Sequence, residues 1–292
     1  MNLVKKQLQH SGSLYAICLW EETSQIFVGG ADKIVSTWSL DTCENDPFSI
    51  RTQSAVLNLK VLSQNQLFVG LFNGHFHLID LNTKQELHYI TKHKRGIYSS
   101  AVSEDGTMLI LGTGEGIVSI WRLKDMALLL EKKISDSKIR AIQVIGNILW
   151  IGTNEGVLLE VALSDLKLQQ QYRIDDHGIN SLCYLPEKNT LLIGDKDAHL
   201  SAFSISAGKL VLRFPAHNWP IYQIVGNHPE GIITVSRDKT IKVWNGHDLS
   251  LKQRLSYPEH KGHTHSVNNA VYDVKSKMLI TISDDKSICF WK

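Results

Sequence analysis

One short pattern, repeated at a fixed period, constrains this chain more than any other feature. Residues 233–245 (ITVSRDKTIKVWN) begin as a β-branched run, break at Ser236-Arg237-Asp238-Lys239, and resume as an alternating run ending at Trp244. Two strands about a short polar turn read as a hairpin. The pattern returns at 280–292 (ITISDDKSICFWK) and stands near the start at 28–39 (VGGADKIVSTWS). The aromatic or apolar residues that end each copy are Trp38, Ile79, Trp121, Val161, Phe203, Trp244 and Trp291, spaced by 41, 42, 40, 42, 41 and 47 residues. Six positions before these anchors stand Asp32, Asn73, Glu115, Glu155, Asp197, Asp238 and Asp285. Repetition of this kind decides the whole fold.

The period and the offset acid resemble those of the WD-repeat β-propeller family, whose repeats span about 40–45 residues with four strands per blade. The literal Trp-Asp pair is absent, since the tryptophans are followed by Ser39, Arg122, Asn245 and Lys292. The resemblance covers essentially the whole chain. It implies an all-β, single seven-bladed propeller of four-stranded antiparallel blades over residues 1–292, with blades at about 10–51, 52–92, 93–134, 135–174, 175–216, 217–256 and 263–292 plus 2–8. The chain stops after the third strand of the last blade, so the N-terminal strand 2–8 is expected to complete that blade and close the ring. An open ring would leave two unpaired edges. No helix of useful length is expected.

Bulk composition narrows the function classes. The chain is 43% hydrophobic and 21% charged, which is globular, and no stretch approaches the roughly 18 apolar residues of a membrane span. A net charge of +2 does not call for nucleic acid or an anionic membrane as an obligatory partner. The N-terminus lacks the apolar core of a secretory signal. Cys18, Cys43, Cys183 and Cys289 are far apart and form no CxxC pair, so neither a metal nor a redox site is expected. The expected compartment is cytoplasmic.

Four residues before each inner strand the family carries a histidine. His10, His93, His217 and His263 fit, while Thr52, Ser135 and Asp175 stand there in blades two, four and five. With a strand hydroxyl, the turn acid and the anchor tryptophan, such a histidine would form the family's structural tetrad. The expected sets are His217, Ser236, Asp238 and Trp244 in blade six, His263, Ser283, Asp285 and Trp291 in blade seven, and His93, Thr113, Glu115 and Trp121 in blade three. Blade one has His10, Asp32 and Trp38 but Gly30 at the hydroxyl position. A histidine–acid–hydroxyl trio also suggests a hydrolase, but here it recurs around the ring and no G-x-S-x-G elbow accompanies it. His260, His263 and His265 lie in one loop without a completing ligand set, and His75 and His77 read as background. Gly29-Gly30 and Gly114-Glu115-Gly116 read as hairpin glycines, because neither opens the helix that a phosphate loop requires. No cofactor is expected.

The remaining signal is a surface. In the family, the residue after the first apolar position of each inner strand, and the residue before each turn acid, point to one face near the central channel. Carried over, the first set includes Tyr15, Leu57, Tyr98, Arg140, Asn180, Tyr222 and Asn268. The second includes Phe72, Gly114, Asn154, Lys196, Arg237 and Asp284, with Trp219 in an adjacent loop. Aromatic and arginine side chains dominate binding hot spots. The resemblance therefore implies a non-enzymatic scaffold that binds a protein or peptide partner over the channel mouth, with Arg140, Lys196 and Arg237 favouring an acidic one. Two alternatives use the same residues or the same channel: a nucleic-acid binder and, less favoured, an enzyme with a channel site.

Overall fold

The computed structural model describes residues 1–63 and 65–292. Seven four-stranded antiparallel sheets form the chain, and in six of them the four strands pair in sequence order. The inner strands are Leu14–Trp20, Val56–Leu62, Ile97–Val102, Ile139–Ile145, Ile179–Leu185, Ile221–His228 and Val267–Asp273. Each inner strand contacts those of its two neighbours, and the first contacts the last, so the sheets stand as blades around a central channel.

The seventh sheet joins the two ends of the chain. Strand Leu3–Gln7 runs antiparallel to Ile288–Trp291 and is the outermost strand of the last blade. Lys6 faces Cys289 and Gln7 faces Ile288 across the ladder. The N–H of Lys292 donates to the carbonyl of Asn2 at 3.0 Å. The expected closure is thus present, and it removes an edge that would otherwise expose unpaired backbone.

Apolar side chains of the two central strands pack between neighbouring blades as well as within their own. Phe27 of blade one clusters with Val56, Leu67 and Val69 of blade two. Trp38 clusters with Ile280 and Phe290 of blade seven. The Trp121 ring meets Phe76 edge-on at 5.2 Å, and Trp244 meets Phe214 at 5.4 Å. Close approach between blades explains Gly29, which reads as a hairpin glycine in the sequence, and Gly112, which carried no reading there. Gly29 lies within strand Gln25–Gly30, and a Cβ there would sit 2.8 Å from Val56 Cγ1. At Gly112 a Cβ would lie 2.5 Å from Ile139 Cγ2. Among the described residues, helix is confined to a 3₁₀ turn at Pro186–Lys188 and one α-turn at Tyr257–His260, inside the long loop before blade seven.

Candidate binding site at the channel mouth

A backbone irregularity builds the mouth. In all seven blades the pairing between the first and second strands shifts register right after the first inner-strand residue. The skipped residues are Tyr15, Leu57, Tyr98, Arg140, Asn180, Tyr222 and Asn268. A bulge leaves its extra residue out of the ladder and re-aims its side chain. All seven line a channel of about 960 Å³, together with Phe72 and Asp284 from the hairpin turns. Lys196, Trp219 and Arg237 lie outside the channel wall. Trp219 is 54% exposed and carries the Arg237 guanidinium over its ring, 5.0 Å from the centroid. Ser236 fixes this loop by donating its hydroxyl to the Trp219 carbonyl at 2.9 Å.

The expected residues divide by what they already bond. Asn180 donates its amide to the Ile221 carbonyl at 3.0 Å, and Asn268 donates to the Leu14 carbonyl at 2.8 Å and to Asp284 at 2.7 Å. These two asparagines tie adjacent blades, so their amide donors are occupied. Tyr98, in contrast, forms a platform. Its ring lies over Gly114, where a Cβ would come within 2.9 Å of Tyr98 Cε2. Lys138 Nζ sits 5.1 Å and Arg140 Cζ 5.7 Å from the ring centroid. Lys196, in the next blade's turn, donates to the Asn154 side chain. Burial pushes the Arg140 guanidinium down. Burial, followed by the like charges of Arg140 and Lys138, does the same to Lys196. Lys138 went unnoticed in the sequence, although it stands two positions before Arg140 in the loop entering the same strand.

The histidine sets form a second polar region, buried between the blades. His217 Nδ1 lies 2.9 Å from Asp238 and its Nε2 2.8 Å from the Thr234 hydroxyl, which accepts the Trp244 indole N–H at 2.8 Å. In blade seven His263 Nε2 lies 2.7 Å from Thr281, which accepts from Trp291 at 2.9 Å. In blade one His10 binds Asp32 and Ser36, each at 2.7 Å, and Trp38 donates to Ser36. Blade three joins His93 and Trp121 through Ser119, but Glu115 accepts the Lys94 backbone N–H in place of the imidazole.

The expected hydroxyls are therefore corrected: Ser236, Ser283 and Thr113 give way to Thr234, Thr281 and Ser119, and blade one is complete through Ser36. The true hydroxyls occupy either of two positions facing each other across the ladder, in the pairs Val28–Ser36, Leu111–Ser119, Thr234–Lys242 and Thr281–Cys289. Thr113, Ser236 and Ser283 instead accept turn N–H groups, from Glu115, Asp238 and Asp285.

The trios of blades six and seven are closed off inside the molecule. Thr234 and Thr281 are fully buried, and both nitrogens of each histidine are engaged within the molecule. Burial pushes His217 and His263 down, against the hydrogen bonds and charge of Asp238 and Asp285. Burial works against the ionised Asp238 and Asp285, but hydrogen bonds from the histidines, neighbouring hydroxyls and backbone outweigh it and hold both well below the usual carboxylate range.

Blades without the tetrad are tied differently. His77, which reads as background in the sequence, is buried. It sits 2.6 Å from Glu86 and 3.1 Å from Gln53, and stacks on Tyr89 at 4.5 Å. In blade five Arg213 joins Asp175 of the entry loop to the buried Asp195, 3.1 Å away. Asp175, His177 and Asp197 also gather their ligand atoms within 4.8 Å of one another. Arg213 already supplies the positive charge there. The four cysteines are unpaired, and no helix among the described residues is long and apolar enough to cross a membrane.

The sequence profile of the WD domain, G-beta repeat family matches residues 208–245 and 255–292, which include the hairpins of blades six and seven. The chain is a seven-bladed β-propeller whose last two repeats match this family. Both matched segments end on hairpins that carry a complete tetrad. No curated protein matches the chain. Propellers of this family generally mediate protein interactions.

Proposed function

We propose that this propeller is a non-enzymatic scaffold that holds an acidic peptide, or a loop of a partner protein, over the channel mouth. The observation that carries the reading is the set of seven bulges, which turns Tyr98, Arg140 and Tyr222 out of their ladders toward one opening. Aromatic packing would come from Tyr98, Tyr222 and the exposed Trp219 and Phe72, and Arg140, Lys196 and Arg237 would select negative charge. Four unpaired thiols suit a reducing compartment, the cytoplasm.

Nucleic acid is the second reading, because arginines and lysines beside aromatic rings also suit a single strand. The test is selection from a peptide display library, with capture of the selected peptides measured at two salt concentrations. Tyr98→Ala and Tyr222→Ala should each weaken capture by about 2 kcal/mol, roughly 30-fold. Lys124→Ala, in an exposed turn on the opposite face, should not. Lys188 is a poor control, since its ammonium bonds the carbonyls of Gly246 and His247 in the next blade. If the Tyr98 and Tyr222 variants capture peptides like the wild type, the mouth is not the site.

A further inference from the structure

Three cations converge on one sector of the mouth, and no acid among the described residues answers them. Lys138 and Arg140 share the Tyr98 ring, and Lys196 stands beside them on Asn154. None of the three forms an ion pair with any acid among the described residues, whereas Lys5, Lys6, Lys92, Lys133 and Arg213 all do. The Arg140 Nε is buried and has no acceptor. An unmet buried donor is destabilising, more so when it is charged. Crowding two further cations against it adds like-charge repulsion. A free surface lysine would relieve this by swinging into water, but the ring and the Asn154 carbonyl oxygen hold these side chains where they are.

The ligand that relieves such a cluster must bring more than one negative charge to a single point. A carboxylate brings one charge on two oxygens. A phosphoryl monoester brings about −1.5 to −2 at pH 7 on three acceptor oxygens, and the arginine fork matches it bidentately. A nucleic-acid backbone carries its charges singly along a line and needs a basic stripe. Here the other side of the mouth presents Asp284. We propose that Lys138, Arg140 and Lys196 form a receptor for the phosphoryl group of a phosphorylated peptide, which rests on reading the mouth as a peptide site.

The probes are random peptide libraries built around one fixed central residue, either phosphoserine, glutamate or serine, with a single-stranded oligonucleotide as a fourth arm. The full chain should retain the phosphoserine library about tenfold better than the glutamate one, and millimolar inorganic phosphate should compete. Lys138→Met combined with Lys196→Met should abolish that preference while leaving the melting temperature unchanged. Equal retention of the phosphoserine and glutamate libraries overturns the receptor but leaves the peptide reading standing. Retention of none of the three libraries overturns both. Retention of the oligonucleotide alone, with steep salt dependence, also overturns both and assigns the mouth to nucleic acid.

Discussion

The buried belt of histidine tethers and the channel mouth are both rich in polar groups, and they differ in where those groups find partners. In blades one, six and seven the imidazole, carboxylate, hydroxyl and indole satisfy one another inside the molecule. At the mouth, Lys138, Arg140 and Lys196 form no ion pair with any acid among the described residues, and the Arg140 Nε has no acceptor there. Buried polar groups that are fully paired specify a fold. Those left unpaired in an open cavity are unspent recognition capacity, because a ligand can supply the missing partner. The belt is therefore expected to govern stability and the mouth to govern binding.

The largest test of the belt side is removal of residues 1–8. That deletion strips the outer strand from the last blade and uncovers Ile288–Trp291 as an edge. It should cost an amount comparable with a typical domain's whole stability, about 5–15 kcal/mol, seen as lost cooperative melting and aggregation on size exclusion. A monomer that melts like the full chain would mean that closure is dispensable.

Next in size is blade five, where a salt bridge does the tethering. Arg213→Met leaves the fully buried Asp195 without its counter-charge and should cost about 3 kcal/mol in chemical denaturation. A loss below that of a surface ion pair, about 1 kcal/mol, would show that blade five needs no tether.

Smaller, but sharper, is the hydroxyl itself. Thr281→Val keeps the side-chain shape and strands the His263 and Trp291 donors and acceptors, so it should cost about 1–3 kcal/mol. Adding Cys289→Ser moves the hydroxyl to the facing strand and recreates the valine–serine pair that blade one uses at Val28 and Ser36. The double variant should recover most of the loss, which equilibrium denaturation of both proteins would measure. Failure to recover would mean that the two facing positions are not interchangeable.

Much of this architecture was legible in the sequence. The period and the hairpin turns follow from spacing and alternation, because each repeat must place its strands on the same blade positions. The ring-closing strand and the ring of channel residues came from the family resemblance, carried over position by position, and the seven inner-strand residues do line the channel. The hydroxyls were not legible in the same way. Thr113, Ser236 and Ser283 recur at one sequence offset, which made them look like tetrad members, yet that offset belongs to the turn cap. Ser36 and Thr234 lie at different offsets and become equivalent only when the ladder sets their positions opposite each other. Lys138 became part of the mouth only when the Tyr98 ring was seen beneath it. His77 was missed because blade two carries its histidine on a strand and not in the entry loop.

The most direct measurement is to pair melting with peptide capture for Arg140→Met. Methionine fills similar space without a charge, and replacing an unpaired buried cation by an apolar side chain is neutral or stabilising. The predicted result is a melting temperature equal to or above the wild type, with capture weakened by about 2 kcal/mol or more. A fall in melting like that expected for Thr281→Val, with capture intact, would contradict the account: Arg140 would then belong to the fold, and the mouth would have lost its claim to binding.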